Sequence, residues 1–73
     1  MMDQSQKLVM MANQIAAFFA SQGEAKAVPA IADHLRRFWD PEMRRRFLTL
    51  AGDETLNPLA REAARLLQDP RAR

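Results

Sequence analysis

The chain has no cysteine, only two glycines and a single histidine among its 73 residues. Without cysteine, neither a disulfide nor a thiolate metal site can form. A domain of this size without such a staple usually gains only about 3–5 kcal/mol of stability from its core. We therefore expect the chain to be stabilised by packing against another protein.

Side chains and loops that commonly form catalytic, metal-binding or phosphate-binding sites are also scarce. His34 and its neighbour Asp33 would diverge by about 100° on a helix, so they cannot form a catalytic dyad. No second histidine can join His34 in a metal site, and the two glycines do not form a phosphate-binding loop. We expect His34 to lie at the edge of the core and to hydrogen-bond a carbonyl or carboxylate. The chain is predicted not to be an enzyme and to bind no metal or cofactor.

The longest apolar stretch, from Leu8 to Ala20, is interrupted by Asn13 and Gln14. It is too short to span a hydrocarbon core of ~30 Å. A signal peptide is not expected either, because Asp3 offsets the positive charge of Lys7 ahead of the stretch. We predict a cytoplasmic protein that does not associate with membranes.

The remaining composition is typical of a folded, helical protein. Apolar residues make up 48% of the chain, which excludes a disordered segment, and the net charge is only +2. Apolar residues recur at helical spacing, and no segment shows the alternation of a strand. This pattern predicts an all-α fold, a small bundle of three to four short helices. We expect one domain over residues 1–73, with frayed ends at about 1–4 and 69–73.

The first helix is predicted at about residues 5–22, with Ser5 as its N-cap and Gly23 as the left-handed residue after its end. The predicted core stripe consists of Leu8, Met11, Ile15 and Phe18. Nearly the whole circumference of this helix is apolar, whereas a surface helix of a small monomer needs one apolar stripe. The helix is therefore predicted to be packed from more than one side.

The second helix is predicted to end near Trp39 and to begin at either Glu24 or Val28. Pro29 leaves both starts open, because proline is tolerated near the first turn of a helix. The predicted buried stripe consists of Val28, Ile31, Leu35, Phe38 and Trp39.

Two proline pairs mark the remaining boundaries. Asp40-Pro41 predicts the end of helix two and the start of helix three, with Asp40 as N-cap and Pro41 in the first position. Asn57-Pro58 gives the same start signal for helix four. Gly52 is predicted to end helix three, and Asp69-Pro70 to end helix four. The expected core residues of these two helices are Met43, Phe47, Leu50, Leu59, Ala63, Leu66 and Leu67.

A basic cluster surrounds the pair Phe38-Trp39 and consists of Arg36, Arg37, Arg44, Arg45 and Arg46. With a short turn between two helices, it is compatible with a helix-turn-helix and nucleic-acid binding. The consecutive residues 44–46 would splay around a helix, however, and the net charge is small for counterion-release binding. Arginines beside aromatic residues are also typical of protein interfaces, which we consider the better interpretation.

Two partner-binding patches follow from this pattern. The first is the corner between helices two and three, formed by His34, Arg37, Phe38, Trp39, Asp40, Pro41 and Arg44. The second is the polar pair on helix one, Asn13 and Gln14. Trp39 fits equally well as a core residue, so its place in the first patch stays open at this point.

Two stretches of the sequence resemble a known family. One covers residues 7–15 and 18–22 and includes Asn13-Gln14-Ile15; the other covers residues 30–44. The second contains the run His34-Leu35-Arg36-Arg37-Phe38-Trp39-Asp40-Pro41. Together they resemble the delta subunit of NAD-dependent, molybdenum-containing formate dehydrogenases. The similarity continues less specifically through residues 57–59 and 62–66, and Pro29 departs from the small helix former that the family would have there.

The resemblance implies an accessory role in a larger enzyme. In that family an alpha subunit with a molybdenum pterin and iron–sulfur clusters oxidises formate, and further subunits pass electrons through clusters and FMN to NAD. The delta subunit carries no redox centre, and its implied role is complex assembly, stability or cofactor retention. The implied partner is the alpha subunit within the complex, with no nucleic acid. The isolated chain is also expected to be able to self-associate.

Two other functions are compatible with the sequence. One is a small helix-turn-helix regulator that binds nucleic acid, and the other is a maturation chaperone that leaves the enzyme after assembly.

Overall fold

The computed structural model describes residues 4–68, which form four α-helices. They are α1 (Gln4–Phe19), α2 (Glu24–Phe38), α3 (Pro41–Leu48) and α4 (Pro58–Gln68). The prediction of a small all-α bundle is confirmed. No helix within residues 4–68 is both long enough and apolar enough to cross a membrane. The predicted stop at Asp69-Pro70 and the predicted frayed ends lie outside the described residues, apart from Gln4, which begins α1.

Gly23 makes the connection between the first two helices. α1 continues into a short 3-10 helix, Ala20–Gln22, and Gly23 follows it with φ 90° and ψ 149°. A positive φ was expected there, but the ψ value is extended rather than left-handed helical. The Gly23 carbonyl accepts hydrogen bonds from the N–H groups of Lys26 and Ala27 at 3.1 and 2.8 Å, so this residue also starts α2. A residue with a Cβ would be strained at this φ.

The starts of the first two helices differ in detail from the prediction. Ser5 lies within the first turn of α1 rather than before it, so its role as N-cap was wrong. α2 begins at Glu24, the earlier of the two predicted starts, and contains Pro29 in its interior. Proline has no N–H to give the carbonyl of Ala25. Because Ala25 and Pro29 are both exposed, water can take the place of that bond.

The Asp40-Pro41 boundary is confirmed. Asp40 is the N-cap of α3, its Oδ1 accepts a hydrogen bond from the Met43 N–H at 2.8 Å, and Pro41 is the first helical residue. The predicted end at Gly52 was wrong, since α3 ends at Leu48. Residues 49–52 then form successive tight turns, in which the Leu50 N–H donates to the Phe47 carbonyl at 2.8 Å.

The Asn57-Pro58 boundary is confirmed as well. The Asn57 Oδ1 accepts a hydrogen bond from the Leu59 N–H at 2.8 Å, which satisfies one of the free N–H groups in the first turn of α4. α4 begins at Pro58, where the missing N–H of proline costs nothing.

One hydrophobic core joins all four helices, and α2 packs most extensively against α4. The largest fully buried side chains are Phe47, Ile31 and Leu35. The buried residues of α2 and α4 include five alanines, which let the two helices approach closely. These are Ala27, Ala32, Ala60, Ala63 and Ala64.

Two helix stripes differ from the predicted ones. The buried residues of α1 are Leu8, Val9, Ala12 and Ala16. Met11 and Ile15 are only half-buried against the core, and Phe18 is exposed. On α2, Phe38 is exposed and its place in the core is taken by the neighbouring Trp39. The assignment of Phe18 and Phe38 to the core was therefore wrong.

Candidate partner-binding surface

Asn13, one of the two predicted polar contacts on α1, is used inside the chain. Its amide nitrogen donates to the carbonyl of Thr55 at 2.9 Å. Its Oδ1 accepts from the N–H of Asn57 at 2.7 Å. Asn13 thus ties the middle of α1 to the start of α4. Gln14, by contrast, is exposed.

Replacing these two residues should separate their roles. We expect Asn13→Ala to lower the free energy of unfolding by about 1–3 kcal/mol, because two backbone groups lose their partner. Gln14→Ala, the matched control one residue along the same helix, should change it by less than about 0.5 kcal/mol. Urea denaturation of both variants, followed by circular dichroism, measures the difference. Equal losses of stability would contradict the structural role of Asn13.

The corner between α2 and α3 is held by its own polar residues. The Arg44 guanidinium donates from Nη1 to the carbonyls of Arg36 and Trp39, at 2.9 and 2.6 Å. These carbonyls lie at the C-terminal end of α2, where a positive charge is favourable. Asp40 and Pro41 form the start of α3. The side chains of Arg44 and Asp40, both predicted to contact a partner, thus stabilise this chain's own backbone.

Trp39 belongs to the core. Its side chain is only 5% exposed, and its ring meets Phe47 edge to face with 5.5 Å between ring centroids. The sequence left open whether Trp39 is a core residue or a partner-binding residue, and in the structure it is a core residue. The neighbouring Phe38 is 71% exposed, so the two aromatic residues of this pair point to different environments.

Most of the arginine cluster is neutralised within the described part of the chain. Arg37 pairs with Asp33 at 3.0 Å, one turn earlier on α2. Arg45 and Arg46 both pair with Glu42, at 3.0 and 3.8 Å. These pairs are exposed and contribute little to stability. With Arg44 directed at backbone carbonyls, the cluster does not form one stripe of free cations.

Arg61 has a structural role that the sequence did not reveal. Its guanidinium donates to the carbonyls of Ala51, Asp53 and Leu56, at 3.2, 3.1 and 3.3 Å. These carbonyls belong to the loop between α3 and α4. Nothing in the local sequence distinguishes Arg61 from the other arginines, because its acceptors are backbone atoms.

Asp53 is also occupied within this loop. Its Oδ1 accepts hydrogen bonds from the N–H and the hydroxyl of Thr55, at 2.8 and 2.5 Å. These bonds, the hydroxyl bond first, lower the pKa of Asp53 below its usual value of 3.8. A cleft of about 740 Å³ lies beside the loop, between Asp53, Glu54 and α1. The Asp53 carboxylate therefore caps a turn within the loop.

Four aromatic rings form a row across α1 and α2, and this row is the main exposed apolar feature of the described residues. The ring centroids of Phe18 and Phe19 are 5.1 Å apart, those of Phe19 and His34 are 6.1 Å apart, and those of His34 and Phe38 are 4.7 Å apart. Phe18 is 75% exposed. We call these four residues the aromatic row. His34 was expected to hydrogen-bond a carbonyl or carboxylate, but its contacts in residues 4–68 are with these rings.

A shallow apolar groove lies beside the aromatic row. It has a volume of about 300 Å³ and is lined by Met11, Gln14, Ile15, Phe18, Phe19 and His34. Large exposed apolar patches on small proteins usually mark binding sites. The groove brings together Gln14 and His34, one residue from each predicted patch. Phe18 and Phe19 were not predicted as site residues, although the excess of apolar residues around α1 indicated a second packed side.

No group of three or more histidine, aspartate or glutamate side chains is placed to hold a metal ion within residues 4–68, and the sequence has no cysteine. Without cysteine, the chain offers no thiolate ligand for an iron–sulfur cluster.

Comparison with known proteins identifies the family. Residues 7–64 match the family of the NADH-dependent formate dehydrogenase delta subunit, FdsD. No curated protein and no solved structure matches the chain. The match covers all of α2 and α3 and most of α1 and α4. The chain therefore belongs to the NADH-dependent formate dehydrogenase delta subunit family.

Proposed function

We propose that this chain is a non-catalytic accessory subunit of a molybdenum-containing, NAD-dependent formate dehydrogenase in the cytoplasm. The observation that carries the proposal is the aromatic row, a surface suited to protein contact on a chain whose family is named as a subunit of this enzyme. The partner is the alpha subunit within the assembled complex. The molybdenum pterin, the iron–sulfur clusters, FMN and NAD are bound by the other subunits.

The polar residues of the chain support an accessory role. Several polar side chains that could carry chemistry are engaged with this chain's own backbone. Asn13, Arg44 and Arg61 bind backbone groups, and Asp53 caps a turn. The aromatic row offers a partner an apolar surface, which can stabilise a complex by burial. Stabilising the complex and retaining its molybdenum cofactor are the roles we assign.

The aromatic row replaces the α2–α3 corner as the proposed docking surface. His34 and Phe38 stay in the docking surface, Phe18 and Phe19 join it, and Gln14 contributes from the groove beside the row. Arg37 lies beside it, three residues from His34 on the same helix and therefore its neighbour. Trp39, Asp40, Arg44 and Asn13 act indirectly, because they hold α1, α2 and α3 in place.

Deleting the gene tests this function. The formate dehydrogenase should be purified from a deletion strain and from a strain that carries a tagged copy of the chain. We expect the tagged chain to be retained at one copy per alpha subunit. The enzyme without it should contain less molybdenum per alpha subunit and lose activity at a lower temperature, while its KM for formate is unchanged.

Other outcomes would contradict the proposal. Absence of the chain from the mature enzyme, combined with a cofactor defect in the deletion strain, would favour a transient maturation chaperone. Recovery with nucleic acid, through binding that weakens steeply with salt, would favour a regulator. The second alternative has less support from the structure, because Arg37, Arg44 and Arg45 are already engaged within the chain.

A further inference from the structure

The spacing of the aromatic row suits a helix as its occupant. Consecutive ring centroids are 4.7 to 6.1 Å apart, and one turn of an α-helix rises about 5.4 Å. A partner helix with apolar side chains every three or four residues can therefore place one side chain against each of several rings, as in other helix-in-groove complexes. The groove of about 300 Å³ beside Phe18 and His34 is shallow and open at the surface, so it accepts side chains without enclosing a small molecule.

The charges beside the aromatic row are mainly positive. Lys7 lies one turn before Met11 on the same face of α1, and Arg37 lies next to His34 on α2. Lys26 is on the same face of α2 as Arg37, three turns earlier. The carboxylate on this side is Asp33, and Arg37 already neutralises it at 3.0 Å. Lys7 and Lys26 are exposed and have no ion pair within residues 4–68.

This charge distribution decides between two kinds of occupant. In a symmetric pair of this chain both surfaces would carry the same excess of positive charge, which is unfavourable at an interface. A helix with aspartate or glutamate beside its apolar stripe would instead meet charges of opposite sign.

We infer that the aromatic row receives an amphipathic helix of the formate dehydrogenase catalytic assembly, one with carboxylates on both sides of its apolar stripe. The inference rests on the proposed function and adds the type of segment that is bound. Phe18 and Phe38, the exposed rings at the two ends of the row, are the main anchors. Gln14 and His34 provide the polar contacts, and Lys7 and Lys26 pair with the carboxylates.

The first experiment measures binding to formate dehydrogenase purified from the deletion strain. We expect the pair of substitutions Phe18→Ser and Phe38→Ser to lower the affinity about 30-fold or more, as for the main aromatic anchors of an interface. The control is Met10→Ser, which removes a large apolar side chain that is 47% exposed and lies on another face of α1. It should bind like the wild-type chain. Circular dichroism of each variant confirms that the four helices are retained.

The second experiment tests the charges. Lys7→Gln together with Lys26→Gln should lower the affinity several-fold at low salt and reduce its dependence on salt. The control, Arg45→Gln together with Arg65→Gln, also removes two cations, which are paired with Glu42 and Glu62, and it should leave both quantities unchanged. Equal effects in both variants would mean that net charge, and not the position of the lysines, determines binding.

The third experiment identifies the segment. A photoreactive benzoylphenylalanine at position 38 should cross-link to one peptide of the catalytic assembly, whose sequence has apolar residues at helical spacing and flanking carboxylates. A synthetic copy of that peptide should gain helicity when it binds the chain. A cross-link to a second copy, to RNA, or to a basic or extended segment would overturn the inference while the accessory function stands. If the wild-type chain does not bind the assembly at all, the accessory function fails and the inference fails with it.

Discussion

Replacing Trp39 with alanine is expected to leave the isolated chain largely unfolded at room temperature. Truncating a buried tryptophan to alanine costs about 3–5 kcal/mol. A core of this size provides only about 3–5 kcal/mol in the absence of disulfides or metals. Trp39 also packs edge to face on Phe47, the largest fully buried side chain, so its loss opens a cavity beside α3. Loss of helical circular dichroism and of the cooperative urea transition would be the expected result.

The adjacent residue provides the control for this experiment. Phe38→Ala removes an aromatic side chain of similar size that is mostly exposed, and it should change the free energy of unfolding by less than about 0.5 kcal/mol. A Trp39→Ala chain with a cooperative transition close to that of the wild-type protein would show that Trp39 is not a core residue. Trp39 would then again be a candidate for contact with a partner.

Arg61→Ala is expected to have the second largest effect on stability, a loss of about 2–3 kcal/mol. A hydrogen bond to a charged group contributes about 1.5–3 kcal/mol, and Arg61 makes three such bonds to loop carbonyls. The estimate lies below their sum because the carbonyls are partly accessible to water once the guanidinium is gone. Urea denaturation gives the change in free energy. Hydrogen exchange should show faster opening of residues 49–57.

Arg65 is a suitable comparison for Arg61, since it lies one turn later on the same helix. Its guanidinium is paired with Glu62 at 3.0 Å in a solvent-exposed position. Exposed pairs of this kind contribute at most about 0.3–0.5 kcal/mol within a helix, so Arg65→Ala should be close to neutral. Equal losses of stability in both variants would show that the hydrogen bonds of Arg61 to the loop contribute no more than the exposed ion pair of Arg65.

The helix boundaries were predictable from the sequence where the signal is local. Asp40-Pro41 and Asn57-Pro58 each combine a side chain that caps a helix with a proline, which a helix tolerates best in its first turn. Both elements act within four residues, and the structure has the corresponding hydrogen bonds at 2.8 Å. Gly52 failed as a boundary because a glycine permits a helix to end but does not require it, and tight turns end α3 first.

The aromatic row could be predicted only in part. His34 and Phe38 were assigned to a partner surface, but Phe38 was also counted as part of the core stripe. A helical wheel places Phe38 on the same side as Ile31 and Leu35, because it records direction around the axis and not position along it. Phe38 is the last residue of α2, where Trp39 and α3 already fill the core. Phe18 is the penultimate residue of α1 and is exposed for a comparable reason.

The roles of Asn13, Arg44 and Arg61 could not be predicted. Asn13 binds backbone atoms of residues 55 and 57, and Arg44 and Arg61 bind backbone carbonyls. Every residue has a backbone carbonyl, so the sequence does not indicate which carbonyl will accept a hydrogen bond. No pattern of side chains therefore pointed to these contacts. Arg44 and Asn13 fitted a partner surface equally well until the tertiary arrangement was known.

The extensive packing of α2 against α4 has a consequence for the chain while it is being synthesised. α4 is the last helix of the described residues, so the part of α2 that packs against α4 stays uncovered while α3 and the following loop are being added. Nascent chains with an uncovered apolar helix face can be cleaved by proteases and bound by chaperones that recognise apolar segments. Folding can be completed only after α4 has left the ribosome, and a premature stop before Pro58 should give a product that is degraded rather than assembled.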